Sequence, residues 1–309
     1  MTTVVLLTNE VELIDELRPA FAQVAPELRV LQAHEAGAAE AEVAACWFPP
    51  VGSLQSLPRL RLIHSVSAGI EHLDTAGKLP AVPVCRVVDP EQRQGMVEFM
   101  RWAVIHYQRH FDQVLANQHL ARWQRPPQIP AGEYRVGVLG LGSMGSAVAQ
   151  DLAGAGYAVR GWSRSAKRLA GVDCHHGDSG LPDCLAGLDL LINLLPLTTA
   201  TEHLLDSRVF AALAPGAVLV NGGRGQHVAE ADLAAALASG QLRAALLDVF
   251  EQEPLPANHP WWRTPGITVT PHMASAASAR CIASQIAENT RRLTTGAALL
   301  HRADPALGY

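Results

Sequence analysis

Two α/β domains, each a parallel sheet faced by helices, are predicted by three features of the sequence. Short apolar, β-rich runs alternate with amphipathic helical stretches along most of the chain. The alternation forms two successive series, separated by a long helical pattern that begins at Glu98. The length, 309 residues, is enough for two cores of ordinary size. The expected division is residues 1–97 with 276–309 as one domain and residues 98–275 as the other.

The first series opens with the run Thr3 to Thr8, followed by an amphipathic stretch from Val11 to Val24. Further apolar runs lie at Arg29 to Gln32, Val43 to Phe48, Leu62 to Val66 and Val82 to Val87. The helical pattern from Glu98 to Trp123 is closed by Pro126-Pro127, which cannot continue a helix. The second series starts at Arg135, with the runs VGVLG, AVRGW, LDLLINLLP, AVLVNGG, AALLDVF and ITVTP. A last helical stretch, Ser275 to Thr295, is placed to pack back on the first domain. The stripe Leu233 to Leu237 reads as helix core.

Composition narrows the function classes. Hydrophobic residues make up 49% and charged residues 17%, the profile of a compact folded chain. A formal charge of -5 gives no electrostatic reason to expect a nucleic-acid partner. The 5 cysteines are dispersed without C-x-x-C or zinc-like spacing and read as free thiols in a reducing compartment. The tandem His175-His176 has no ligand spacing either and reads as surface, so no metal is expected. No leader pattern and no run approaching a membrane span is present, so the cytoplasm is the expected location and no membrane partner is expected.

The segment VGVLGLGSMGSAVAQDL carries Gly140-x-Gly142-x-x-Gly145 between an apolar strand and an amphipathic helix. That context makes it a dinucleotide-binding turn. Gly140 permits the tight turn, Gly142 lets backbone approach a pyrophosphate, and Gly145 lets helix and strand pack closely. The N–H groups at the helix start, at Ser143 and Met144, face the anion. The next strand ends in Trp162-Ser163-Arg164-Ser165, with Lys167 and Arg168 beyond. An NAD site usually places an acid there for the ribose hydroxyls. Here no carboxylate repels a 2′-phosphate; Arg164 can pair with one, and the Ser163 and Ser165 hydroxyls can donate to it. NADP(H) is therefore favoured over NAD(H).

Three further strand ends carry polar residues out of apolar runs: Arg224 in AVLVNGGRGQHV, the acids Asp248, Glu251 and Glu253 in LLDVFEQEPLP, and His272 in ITVTPHMAS. Ligands of open α/β sheets lie beyond the carboxyl ends of the strands. A guanidinium holds a carboxylate in a two-pronged hydrogen bond. A histidine can give a proton to a carbonyl oxygen as hydride arrives at carbon, and a neighbouring carboxylate fixes its tautomer. These are the parts for reducing a 2-oxo acid. Asp248 reads as a support of the cofactor loop rather than a reacting group.

The strings VGVLGLGSMG, NGGRG, LDVFEQEPLP and TPH resemble the signatures of the D-isomer-specific 2-hydroxyacid dehydrogenase family. WSRS, INLLPLTTAT and the closing LGY resemble its glyoxylate/hydroxypyruvate reductase branch. The resemblance runs nearly end to end. In that family a small non-glycine residue is more usual before the arginine; Gly222 and Gly223 depart from that pattern, and a looser loop is the expectation. It implies two Rossmann/flavodoxin-like domains with the cofactor in the cleft between them. It also implies Arg224 as a catalytic residue, Glu253 paired with His272, and His272 as acid/base. Glu253 is preferred to Glu251 because the family glutamate directly precedes the Pro-Leu-Pro run. The candidate cofactor contacts become Gly140, Gly142, Ser143, Met144, Gly145, Ser163, Arg164, Ser165, Leu195, Pro196, Gly222, Gly223, Asp248 and His272. HSVSAGIEHL matches the family's first-domain loop, implying that amides of Ser67, Ala68 and Gly69 receive the substrate carboxylate with Arg224. Trp47 in CWFPP is implied near the substrate, although a tryptophan beside two prolines suits packing equally well. The long helix after Glu98 is implied in a homodimer interface. The expected activity is NADPH-dependent reduction of a small 2-oxo acid such as glyoxylate or hydroxypyruvate. Two rivals stay open: a dinucleotide-sensing regulatory protein of the same fold, and an NADH-dependent reductase of a larger 2-oxo acid.

Overall fold

The computed structural model describes residues 2–73 and 79–306; the closing Leu307-Gly308-Tyr309 lies outside them. The strands, in chain order, are β1 Thr3–Leu7, β2 Arg29–Gln32, β3 Val43–Cys46, β4 Leu62–Ser65, β5 Val84–Cys85, β6 Arg135–Leu139 and β7 Ala158–Ser163. They continue as β8 Val172–His176, β9 Leu190–Asn193, β10 Ala217–Asn221, β11 Leu242–Leu247, β12 Ile267–Val269 and β13 Arg302–Ala303. The helices are α1 Val11–Val24, α2 Pro90–Gln108, α3 Phe111–His119, α4 Ser143–Gly154, α5 Gly177–Leu185, α6 Ser207–Ala212, α7 Glu230–Ser239 and α8 Ala279–Thr295. The chain divides into two compact units, residues 1–92 with 276–309 and residues 93–275.

The first unit is a 6-stranded sheet in the order β13-β5-β4-β3-β1-β2, parallel except for the antiparallel edge strand β13. Side chains alternate between its faces with the period of 2 that a strand imposes. Val4, Leu6, Val43, Ala45 and Leu62 join one core, while Val5, Leu7, Ala44, Cys46 and Ile63 join the other. The first core also takes Ile14, Leu17 and Phe21 of α1 with Ile282, Ala283 and Ile286 of α8. Ser278 caps α8 by accepting the Cys281 N–H at 3.2 Å, and Gly296 ends it in a left-handed conformation.

The second unit is a 7-stranded parallel sheet in the order β12-β11-β10-β9-β6-β7-β8. Strand order reverses at β6, whose neighbours are β7 and β9, which is where an open α/β sheet leaves a crevice for ligands. Alternation again explains the two faces. Val136, Val138, Leu190, Ile192, Val218 and Val220 point to one core; Leu139, Leu191, Leu219, Ala245 and Leu247 point to the other. Leu233 of α7 is fully buried in the second core, as its stripe predicts.

Three elements differ from expectation. The single helix expected from Glu98 to Trp123 begins eight residues earlier, at Pro90, and is two helices, because His110 adopts a left-handed φ of 55° between α2 and α3. Proline at a first helical position costs no hydrogen bond, which explains the early start. Met96, Met100, Ala103, Val104 and Tyr107 of α2 are buried in the second unit. Strand β8, VDCHH, escaped the apolar pattern because it is a half-exposed edge strand; His175 and His176 lie in it. Strand β13 is two residues long and likewise has no apolar run to announce it.

Candidate active site

The turn from β6 into α4 is built by close approach. Gly140 has φ +95°, and a Cβ there would sit 2.6 Å from the Leu194 carbonyl oxygen. At Gly145 a Cβ would lie 1.8 Å from the Gly140 carbonyl oxygen, so any other residue pushes α4 off β6. Gly142 is different: a Cβ there meets nothing within 4 Å, leaving open space in front of the first turn of α4. Ser143 and Met144 open that helix, and no side chain caps it. Four backbone N–H groups at a helix start lack intrahelical partners, so the turn offers a cradle for a phosphate. Leu194 donates its N–H to the Leu139 carbonyl at 2.9 Å, which sets the neighbouring Leu195-Pro196 turn beside the glycines.

At the end of β7 the Ser163 hydroxyl donates to the Ser165 carbonyl at 2.8 Å, shaping the turn that exposes Arg164. Lys167 and Arg168 line a surface hollow with Leu169 and Ala170 just beyond it. Among the described residues 164–168 there is no acid.

The strand ends of β11 and β12 meet through Asp248. Its side chain is 1% exposed, and both oxygens are used. Oδ1 accepts from the Thr270 hydroxyl at 2.6 Å and the Met273 N–H at 3.0 Å; Oδ2 accepts from the Ala274 N–H at 3.0 Å. The His272 N–H donates to the Asp248 carbonyl at 2.8 Å. Asp248 thus clamps the loop on both sides of His272, which is held at a left-handed φ of 51°. Such a conformation is costly for a non-glycine residue and persists only where the surroundings impose it. The imidazole Nδ1 meets Glu253 Oε2 at 2.7 Å. Glu253 Oε1 accepts the Phe250 N–H at 2.8 Å. Partial burial works against ionisation of Glu253, but the His272 and Phe250 hydrogen bonds and the charges of His272 and Arg224 outweigh it. The carboxyl group is held below its ordinary value. Glu251, two residues earlier, faces His203 at 3.4 Å instead.

Arg224 stands on the turn after β10. Its Nη1 donates to the Gly223 carbonyl at 2.7 Å, and its charge reaches Glu253. The next residue explains how the two turns meet. A Cβ on Gly225 would lie 1.9 Å from the Phe250 carbonyl carbon, so the arginine turn rests directly on the backbone that leads to Glu253. The loop is not loose, contrary to the expectation from Gly222 and Gly223. A Cβ on Gly222 would meet Met100 Cε at 2.5 Å, and one on Gly223 would meet Asn193 Nδ2 at 2.8 Å. Here glycine marks tight packing. The amides of Gly222 and Gly223 donate inward, to the Asn193 carbonyl at 3.1 Å and Asn221 Oδ1 at 3.2 Å.

Sequence reasoning missed the fully buried residues that brace this turn. Asn193 Nδ2 donates to Asn221 Oδ1 at 2.9 Å and also lies 2.9 Å from His227 Nδ1. Asn221 Nδ2 donates to the Arg224 carbonyl at 2.9 Å. A signal was available: Asn193 and Asn221 each end an otherwise apolar strand, in LLIN and AVLVN.

In the first unit, the loop after β4 is closed by Ser65. Its hydroxyl accepts the Ser67 N–H at 3.0 Å and lies 2.7 Å from the Gly69 carbonyl. The Ser67 amide thus donates within the loop. Arg86 holds the Ala68 carbonyl at 3.0 Å. Trp47 is half-buried, donates its indole N–H to Glu10 Oε1 at 2.8 Å and packs its ring 4.7 Å from that of His72.

A seven-stranded parallel sheet, a glycine turn at its switch point and a clamped His–Glu pair beside an arginine define a dinucleotide-dependent oxidoreductase. The profile of D-isomer specific 2-hydroxyacid dehydrogenase, NAD binding domain, matches residues 102–274. The chain belongs to the D-isomer specific 2-hydroxyacid dehydrogenase family. It is 40% identical over 275 residues to the glyoxylate/hydroxypyruvate reductase A of Serratia proteamaculans, covering 87% of this chain and 88% of the relative. A crystal structure of a D-isomer specific 2-hydroxyacid dehydrogenase family protein from Klebsiella pneumoniae 342 superposes with a TM-score of 0.95 at 45% identity, covering 99% of this chain and 98% of the other. The NADPH-dependent glyoxylate/hydroxypyruvate reductase of Sinorhizobium meliloti, solved with NADP and sulfate, superposes with a TM-score of 0.93 at 30% identity over 100% of both chains.

Proposed function

We propose that this protein catalyses NADPH-dependent reduction of a small 2-oxo acid, glyoxylate or hydroxypyruvate, to the corresponding 2-hydroxy acid. The observation that carries the reading is the 2.7 Å contact between His272 and Glu253, on a loop clamped by Asp248 and within reach of the Arg224 charge. The reductase names of the relatives and the NADP held by the Sinorhizobium meliloti enzyme support the substrate class and the coenzyme.

The residues fit the coenzyme. The cradle at Gly140, Gly142 and Gly145, with the Ser143 and Met144 amides, would hold its pyrophosphate. Arg164 and the Ser165 hydroxyl would take the 2′-phosphate, with Ser163 shaping their turn. Leu195 and Pro196 would line the neighbouring wall. NADPH, when bound, supplies hydride to the keto carbon. The chain supplies the rest. Glu253, ionised, accepts the Nδ1–H of His272, which leaves Nε2 to deliver a proton to the keto oxygen. Arg224 offers its fork to the substrate carboxylate and polarises the carbonyl beside it. By the family resemblance, the Ser67, Ala68 and Gly69 amides are proposed contacts of a substrate carboxylate, and Trp47 would offer a ring face rather than its engaged N–H. After proton transfer the imidazole keeps its Nδ1–H on Glu253, ready for reprotonation at Nε2.

The assembly proposed is a homodimer. Trp102 and Ile105 of α2, Phe111 and Leu115 of α3, and Leu120 and Trp123 beyond it are exposed apolar side chains on consecutive elements. A patch of that kind marks an association surface. The cytoplasm is the proposed compartment, supported by five free thiols. Among the described residues no helix is long and apolar enough to cross a membrane.

The test is NADPH consumption over glyoxylate, hydroxypyruvate, pyruvate and phenylpyruvate, repeated with NADH. Turnover of the two small oxo acids with preference for NADPH is expected. Tight NADPH binding with no turnover on any of them would establish a sensor instead.

A further inference from the structure

His227 ends the short turn Gly225–His227, three residues beyond Arg224, and is fully buried. The reduction chemistry does not use it, yet both ring nitrogens are engaged. Nδ1 lies 3.1 Å from the Arg224 backbone nitrogen and 2.9 Å from Asn193 Nδ2. A backbone N–H can only donate, so Nδ1 is the accepting nitrogen. The Asn193 amide is oriented by other partners: its Oδ1 accepts the Leu195 N–H at 3.3 Å, which turns its NH2 toward the ring. Nε2 lies 3.2 Å from the Pro196 carbonyl, which can only accept, so Nε2 carries the proton. One tautomer is specified from both ends.

The Pro196 carbonyl also accepts from the Thr201 hydroxyl at 2.8 Å, and the segment around His227 is stitched to the following loop by Leu205 N–H donating to the His227 carbonyl at 2.9 Å. The ring therefore links two turns that leave different strands, β9 and β10, on one side of the switch point.

We infer that His227 is a positioning residue that couples the arginine turn to the coenzyme wall. Through Nδ1 it seats the Arg224 backbone; through Nε2–H it holds the Pro196 carbonyl and with it the Leu195-Pro196 turn. It touches neither substrate nor coenzyme. The inference rests on the proposed roles of Arg224 and of Leu195-Pro196.

Two substitutions cut the two links separately. H227N keeps an accepting oxygen near the Nδ1 position and gives up the reach to Pro196. H227Q places a donating NH2 near the Nε2 position and gives up the short-range acceptor. With the 309-residue chain, H227N is expected to raise the NADPH Kd, read by fluorescence titration, roughly tenfold, as loss of one buried hydrogen bond allows. Its KM for glyoxylate at saturating NADPH changes less than about twofold. H227Q is expected to do the reverse, lowering kcat/KM for glyoxylate roughly tenfold with NADPH Kd little changed. Equal losses in both constants tracking a fall in Tm, or no change in either, would overturn the inference. A measurement on the native protein needs no substitution: ring 15N shifts of His227 must report Nδ1 unprotonated and Nε2 protonated, and the opposite pattern overturns it directly. A native protein that binds no NADPH would instead overturn the proposed function itself.

Discussion

Asp248 and His272 are joined by the His272 N–H donating to the Asp248 carbonyl at 2.8 Å, while the Asp248 carboxylate holds the residues on either side of the histidine. The aspartate sets where the imidazole stands without touching its ring. D248N is expected to lower kcat far more than it raises the NADPH Kd, since its new NH2 would face N–H donors. The buried mismatch is expected to cost about 1–3 kcal/mol of stability, measured by urea unfolding.

The imidazole and its carboxylate partner make separable predictions. H272A is expected to lower kcat about 100-fold or more in the NADPH-consumption assay, the scale of losing a general acid. E253Q is expected to keep the contact but weaken the tautomer control, lowering kcat with little effect on coenzyme binding. Because folding lowers the Glu253 pKa below its ordinary value of 4.5, the ionised form contributes stability that is present above that value and lost as pH falls through the folded one. The stability difference between native protein and E253Q should therefore be full at neutral pH and shrink as pH drops below 4.5 in chemical denaturation at stepped pH.

Replacing Gly225 tests whether the arginine turn must rest on the backbone leading to Glu253. G225A puts a methyl 1.9 Å from the Phe250 carbonyl carbon, so the turn has to lift. A stability loss of about 1–3 kcal/mol is expected, together with a fall in kcat/KM for glyoxylate that leaves the NADPH Kd nearly unchanged. R224K, which keeps the charge but not the fork, is expected to lower kcat/KM roughly 10- to 100-fold.

Coenzyme choice is assigned to the end of β7. R164A is expected to raise KM for NADPH roughly 10-fold or more while leaving KM for NADH close to native, the loss of one charge-assisted contact. Steady-state rates with both coenzymes measure it directly.

The exposed apolar side chains of α2 and α3 make a prediction about mass. Light scattering on the 33.0 kDa chain is expected to report a dimer, and the double substitution W102E with L115E a monomer.

Much of the fold could be read from the chain because strands buried on both faces write continuous apolar runs: β1, β6, β9, β10 and β11 are all of this kind. Where burial is partial the pattern fades. VDCHH of β8 alternates polar side chains at an edge, and the break at His110 is a matter of one backbone angle that no periodicity encodes. At the site, Arg224 and His272 were legible as polar residues just beyond apolar strand ends, whereas Glu253 was told from Glu251 only by the family resemblance, through the Pro-Leu-Pro run that follows it. Their supports were not legible. Asn193 and His227 act through hydrogen bonds formed between distant segments, and the meaning of Gly222 and Gly223 depends on Met100 and Asn193 lying against them. A glycine in a sequence permits either slackness or contact, and only the neighbour decides.

The reversal of strand order at β6 sorts the proposed machinery by origin. The anion cradle and Arg164 come from β6 and β7, while Arg224, Asp248, Glu253 and His272 all follow β10, β11 and β12. Selection for a different nucleotide can thus redraw one flank of the sheet while the proton-handling flank is inherited intact. Exchanging the segment after β7 between relatives is the corresponding engineering route, with the hydrogen-bonded braces on the far flank left alone.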